Sequence, residues 1–379
     1  MKKITILFQI NHAGYGGTEK SVLSLCRNLD NKKFDIHIFI NSDQGSFKKY
    51  RYKIFSLFSK KYKRRFNSKF VDPFVRVPDF ISTLGKNRVV IAPGEKFLQV
   101  VESLKPDIVH FTSRGDWRPF YTVAYQLKDK GVKKIVETSI FGKSAPDQYI
   151  QSIDWFIFIS DWLKSQSPWH LGKAQTIYLS TGLPKTSEDL RTSLGIPADA
   201  MVLGRITRPD LNDDDFVPRL VGKLQEKNVY FVLLAATHTT IDLAEKYSNV
   251  VVLKPSTDEV QLSKFYNTID ILIHYRIEGE TFGMNIAEAM MHGKPVVSHF
   301  SHVDNSQAEL LDKTEDGEVG RVSKFHDLEQ YLGNIRAYLD DPELLRFAGN
   351  NAKKRAMRLF SEEVISAQHE KLYDSLMLK

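Results

Sequence analysis

Glu280 and Glu288 stand with seven residues between them, around the pair Phe282-Gly283. Carboxylates cannot bind a phosphate, but they accept hydrogen bonds from hydroxyls. Residues 284–292 have helix-forming composition. The first amides of that helix, from Gly283 through Met284 and Asn285 to Ile286, lack intrahelical acceptors and sit at the positive end of the helix dipole. Such amides make an anion site, and glycine at 283 lets the backbone approach closely. Hydroxyl acceptors on both sides of an anion site suit a diphosphate carried between two sugars, as in a nucleotide sugar. The residues alone also fit a plainer reading, in which Glu280 only complements the dipole and Glu288 is a solvated helix residue.

A strand has to deliver this loop and helix. Residues 269–274 are apolar and β-branched enough for a buried strand, and Gly279 and Gly283 punctuate the loop after it. Gly293 and then Pro295 stop the helix, and VVS opens another strand. In such a β-loop-α-β unit, residues 276–283 lie at the carboxyl end of a strand, where ligands of open parallel sheets collect.

The whole string GETFGMNIAEAMMHGKPVV closely resembles the signature of the retaining glycosyltransferases of GT-B family four. The resemblance implies an α/β GT-B fold: two doubly wound Rossmann-like domains facing a cleft, with a carboxyl-terminal helix crossing back to the first. It also implies Glu280 as a catalytic residue on a hydroxyl of the transferred sugar, Glu288 on the ribose hydroxyls, and the amides of Gly283, Met284, Asn285 and Ile286 on the diphosphate. The expected reaction moves a sugar from a UDP-, GDP- or ADP-sugar to a glycan or lipid-linked glycan with retention of configuration. No essential metal and no cofactor beyond the donor is expected, because helix amides and arginines meet the charge of the leaving diphosphate. A sugar-nucleotide epimerase and a non-catalytic basic scaffold that binds nucleic acid stay open as alternatives, although nucleic acid is not the expected partner.

The remaining chain supplies the scaffold. With 379 residues, 42% hydrophobic and 26% charged, it is long enough for two domains with a substantial core. Apolar segments alternate with helical ones throughout, at DIHIFI, VVIA, PDIVHF, KKIVET, WFIFIS and TIYL, with helices over 96–104 and 161–170, then at MVLGRI, VYFVLLAA, NVVVLK, IDILIHY, KPVVSH and EVGRVS. Turn formers over 180–197 mark a boundary. The expected domains are 1–182, completed by 361–379, and 183–360. MKKITILFQI breaks at Gln9 and reads as a first strand rather than a signal peptide, no eighteen-residue apolar run occurs, and Cys26 is the single cysteine. A cytoplasmic location, with attachment to the inner face of the membrane, is the expectation.

Further motifs join the resemblance. NHAGYGGTE follows the first strand; it is either a tight strand-to-helix connection or, on the resemblance, a loop whose Gly16 and Gly17 face the donor, with Glu19 in the matching place. PDIVHF resembles the family's fourth strand, which gives His110 a catalytic role or leaves it finishing a buried strand. After it, Arg114, Asp116 and Arg118 are candidates for acceptor binding. GRITRPD resembles the GR element, with Arg205 on the donor phosphates and Arg208 standing in for a lysine that this chain lacks. Lys254 falls where the family reads the nucleobase.

Residues 47–70 hold ten Lys or Arg and no acid, more than the net charge of +7, so without them the chain is acidic. Aromatic and apolar residues recur there every three or four positions. The stripe suits an interfacial helix on an anionic membrane, a core-facing helix with a basic back, or single-stranded nucleic acid. The membrane reading assigns contacts to Lys60, Lys61, Lys63, Arg64 and Arg65.

Overall fold

The structure is a computed structural model that describes residues 2–14, 16–43, 73–113, 118–208, 211, 213–226, 228–312 and 315–378, without the side chains of 113 and 118–122. The basic segment 47–70, with Lys60, Lys61, Lys63, Arg64 and Arg65, lies outside these residues, as do Arg114 and Asp116. The chain divides into two compact units, 1–180 with 362–379, and 181–361.

In the first unit the described strands are β1 (Ile4–Ile10), β2 (Phe34–Asn41), β3 (Val89–Ala92), β4 (Ile108–Ser113), β5 (Lys134–Ser139), β6 (Trp155–Phe158) and β7 (Ala174–Thr176). All pair in parallel, in the order β3-β2-β1-β4-β5-β6-β7. Parallel strands covered on both faces read as continuous apolar runs, and Ile6, Leu7, Phe8 and Ile10 of β1 are all buried. The order reverses beside β1, the point where ligands bind in such sheets. Helix Glu362–Met377 completes this core with Ile365, Leu372, Tyr373 and Leu376.

The second unit repeats the plan with β8 (Met201–Ile206), β9 (Val229–Leu234), β10 (Val250–Leu253), β11 (Ile271–Ile273), β13 (Val296–His299) and β15 (Gly320–Ser323), in the order β10-β9-β8-β11-β13-β15. Its reversal lies between β8 and β11. Gly204 is required in β8, because a Cβ there would run into the Ile269 side chain. A separate two-residue pair, β12 (Gly279–Glu280) with β14 (Asp304–Asn305), escapes a reading based on periodicity.

Two expected elements differ. The helix expected over 161–170 ends at Ser165, and a 3-10 turn follows at Pro168–His170. Pro168 has no N–H to donate and drives Ser167 out of helical geometry, to φ −124° and ψ 61°. The strand expected over 176–179 is Ala174–Thr176 instead, placed by its pairing with β6.

Candidate functional site

Glu280 leaves β11 by a tight turn that closes with the Gly279 amide on the Arg276 carbonyl, 2.9 Å away. Gly279 has φ +71°, and a Cβ there would run into the Asp304 carbonyl, so glycine alone fits. The Glu280 carboxylate accepts from Arg276 Nη1 at 2.9 Å and lies 3.3 Å from His274 Nε2. Its own amide donates to Gln307 Oε1 at 2.9 Å. Gln307 is fully buried, and its Nε2 donates to the carbonyls of His299 and Asp304, both at 3.1 Å. Burial raises the Glu280 pKa, but the His274 contact and the Arg276 charge outweigh it and hold the carboxyl below its usual range. Asp304 shifts the other way, raised by burial and, with Arg276 opposing, by Glu280 and Glu278.

A histidine fixes the start of the turn. His299 Nδ1 donates to the Phe300 carbonyl at 2.6 Å, so Nε2 is left to accept the Arg276 amide at 3.2 Å. Burial, reinforced by His274, drives the His299 pKa down to about 4 against the bond to the Phe300 carbonyl. Tyr275 stacks on this ring, 4.5 Å between centroids.

Helix Met284–Met291 begins at Gly283, whose φ of +98° is left-handed. Asn285 joins the helix start to the end of β8, its Nδ2 donating to the Ile206 carbonyl at 3.3 Å. Its Oδ1 accepts the Ile286 amide at 3.0 Å, so that amide, expected on the diphosphate, is engaged within the protein. Glu288 is 5% exposed rather than solvated and accepts the Tyr266 hydroxyl at 2.8 Å. Tyr266, buried against His292, had no sequence signal marking it as the partner of a glutamate 22 residues away.

Arg205 is also buried. Its Nη2 donates to Asp213 Oδ2 at 2.8 Å and to the Tyr275 carbonyl at 3.1 Å, joining β8 to the end of β11. Thr237 Oγ1 braces Asp213 at 2.9 Å. Among the described residues, Arg205 Nη1 is buried with no hydrogen-bond partner. Where the sequence lacks the expected lysine, Asp213 takes Arg205 and Asp214 takes the Tyr275 hydroxyl. Arg208 and Lys254 are exposed just past the ends of β8 and β10.

His110, expected either in a catalytic role or finishing a buried strand, lies within β4. It is 1% exposed within the first unit, with Nδ1 2.7 Å from the Tyr373 hydroxyl and Nε2 2.8 Å from Thr138 Oγ1. Burial, and then His369, push its pKa well below the ordinary value. Both nitrogens are committed, so this is the histidine of a buried strand. Gly16 caps helix Gly17–Asn28 in an extended conformation. Arg118 opens helix Arg118–Leu127.

Comparison with known proteins adds to this geometry. Residues 218–355 match the family model for glycosyl transferases group 1. CapM, a capsular polysaccharide biosynthesis glycosyltransferase of Staphylococcus aureus, is 25% identical over 129 residues, 34% of this chain and 31% of that protein. The MMP alpha-(1->4)-mannosyltransferase of Mycolicibacterium hassiacum is 29% identical over 102 residues, 26% of this chain and 23% of that protein. The matches thus span a third or less of either relative. HepE of Anabaena, solved with UDP and glucose, superposes with a TM-score of 0.68 over 98% of this chain and 100% of its own, at 16% identity. The fold is GT-B, an α/β architecture of two Rossmann-like domains.

Proposed function

We propose that the protein is a glycosyltransferase that moves a sugar from a nucleotide sugar to a glycan or lipid-linked glycan, with retention of configuration and without an essential metal. The observation that carries this reading is the buried, unpartnered Nη1 of Arg205 at the reversal point of the second sheet. A buried guanidinium N–H without an acceptor is costly, and a phosphate oxygen would satisfy it. Glu280 and Glu288 flank the nearby helix start, one for a hydroxyl of the transferred sugar and one for the ribose. Arg208, Lys254 and the amides of Gly283, Met284 and Asn285 complete the donor contacts, and the first unit takes the acceptor. The group 1 match over 218–355 and the relatives named for sugar transfer support the same reading.

Thermal shift with UDP-, GDP- and ADP-sugars tests it, because a ligand at 100 times its Kd stabilises by about 2.7 kcal/mol. Stabilisation by one class is expected, with nucleotide released when acceptor is added, in EDTA as well as without it. Glu288→Gln should weaken nucleotide binding about ten- to hundred-fold, a charged hydrogen bond being worth roughly 1.5–3 kcal/mol. Normal nucleotide affinity in both Glu288→Gln and Arg205→Ala sinks the assignment.

A further inference from the structure

The loop between β13 and β14 lies outside the donor contacts described above. Its Phe300 is 47% exposed and its Val303 59%. The loop is nevertheless held fast. Asn305 closes it, accepting the Ser301 amide at 2.8 Å and donating to the Ser301 carbonyl at 2.9 Å. Ser301 Oγ accepts the Val303 amide at 3.0 Å, and the Phe300 amide donates to the Ser323 carbonyl at 2.8 Å. A loop bonded this closely keeps its apolar side chains in the open, as a ligand-binding surface does. Phe325, after β15, extends the surface, with His302 and His326 edge-on to its ring at 4.2 and 4.1 Å between centroids. His326 has φ +58°, a left-handed conformation that a residue with a side chain adopts only at a cost.

The same loop borders Glu280. Asp304 and Asn305 pair with Gly279 and Glu280, and a Cβ at 279 would come within 2.8 Å of Ser301 Oγ. Along the second sheet the strands run β8-β11-β13-β15. β8 carries Arg205 for the diphosphate and β11 leads to Glu280 for the transferred sugar, so the contacts proceed from phosphate to sugar in that order. The loops after β13 and β15 come next, and in a transfer the group beyond the sugar is the acceptor. Charge selects its kind. Glu280, Glu278 and Asp304 act on Arg276, which opens the turn, and Asp214 lies 3.5 Å from His326 Nε2. Against these carboxylates stand Arg276, already paired with Glu280, and the exposed Lys324 beside Phe325. An anion is disfavoured there, whereas a neutral sugar ring offers C–H groups to an aromatic face and hydroxyls to carboxylates.

We propose that Phe300, Val303 and Phe325 form an acceptor subsite for a neutral glycan on the second unit, adding to the acceptor contacts of the first; this rests on the glycosyl-transfer reading above. A ring of the acceptor lays its C–H face on Phe300 and packs against Val303. Glu278, half exposed at the edge of the turn, accepts from a hydroxyl at the rim of that ring. The subsite binds and orients the acceptor, and it takes no part in holding the nucleotide.

The test uses the full chain, the sugar nucleotide that gives the largest thermal shift, and whichever methyl glycoside or oligosaccharide most accelerates nucleotide release from it. Phe300→Ala and Val303→Ser are each expected to raise the acceptor KM by roughly 5- to 30-fold, the order that covering one exposed apolar side chain implies. The change in kcat should stay below about threefold and nucleotide affinity within about twofold of the parent. Phe300→Trp preserves the aromatic face and should keep the acceptor KM within about threefold. Both residues are exposed, so the variants should melt with the parent. An acceptor KM within twofold of the parent in the double variant Phe300→Ala, Val303→Ser overturns the proposal and leaves the transfer reading intact. A parent dimer that the double variant splits, with no change in KM, does the same by making a second copy the occupant. Preference for an acidic glycan over a neutral one also overturns it. A parent whose nucleotide release no glycan accelerates overturns the proposal and the transfer reading together.

Discussion

The Tyr373 hydroxyl lies 2.7 Å from His110 Nδ1 and ties the last helix of the chain to β4 in the middle of the first sheet. The same ring meets Thr138 through Nε2 and faces His369 at 6.0 Å. Replacing His110 with Leu leaves two buried hydroxyls without a partner, at roughly 1–3 kcal/mol each. The first unit should lose stability in urea by that order. With the nucleotide on the second unit, as proposed, nucleotide affinity should stay within twofold. A tenfold loss of UDP affinity by calorimetry would return His110 to the binding machinery.

The β-strands were legible because apolar runs of four to eight residues between turn formers are what a doubly covered parallel sheet requires. The strands at 229–234 and 250–253 fall inside the segments read as VYFVLLAA and NVVVLK. Glu280 and Glu288 stood out because they flank a glycine at a helix start. Their supports did not. Tyr266, Gln307 and Asp213 reach them or Arg205 across 22, 27 and 8 residues of sequence, through pairings that tertiary packing sets and no local periodicity encodes. β12 and β14 are two residues each, too short for alternation to register. His110 shows the converse: a histidine ending an apolar strand has the same sequence signature whether it faces a ligand or, as here, a tyrosine and a threonine.

Tyr266 should matter to nucleotide binding although its ring is buried. Its hydroxyl is a donor to Glu288 Oε2, and burial followed by the Glu288 charge raises its pKa well above the ordinary value, so it stays protonated. Tyr266→Phe removes that bond, along with the longer one to the Asn285 carbonyl at 3.3 Å, and keeps the ring against His292. Nucleotide affinity should fall about 5- to 30-fold, equivalent to roughly 1–2 kcal/mol of a charge-assisted bond. Calorimetry with UDP decides it, and an unchanged Kd would mean that Glu288 needs no such support.

Glu137 gives the first unit a dependence on pH. It is buried on β5, and desolvation lifts its pKa to about 7 although the Tyr149 hydroxyl donates to it. Its folded pKa lies above the unfolded value near 4.5, so the folded state favours the protonated acid. The stability this lends is complete below pH 4.5 and is lost as pH rises through 7. Glu137→Gln should therefore stabilise the protein at pH 8 by on the order of 3 kcal/mol and change little at pH 4.5. Urea unfolding at the two pH values measures the difference. Equal effects at both would show that the carboxyl titrates normally.

Gln307 is the most exacting test of how Glu280 is held. One amide side chain accepts the Glu280 N–H and donates to the carbonyls of His299 and Asp304, so it fastens the two-residue pair β12–β14 beneath the carboxylate. Gln307→Met keeps the length and loses these bonds together with the one that Gln307 Nε2 donates to Asn305 Oδ1 at 3.2 Å. Gln307→Glu keeps the acceptor for the Glu280 amide but turns the donor end into a second acceptor facing two carbonyls. If Glu280 acts on the transferred sugar and not on the nucleotide, both variants should release nucleotide about 10- to 100-fold more slowly from the preferred sugar nucleotide. A misplacement of about 1 Å is enough for such a loss. Both should bind UDP as the parent does, with Gln307→Met less stable by about 1–3 kcal/mol for each group left unsatisfied. A parallel fall in UDP affinity would mean that Gln307 supports the whole donor site, and normal turnover would mean that His274 and Arg276 hold Glu280 without it.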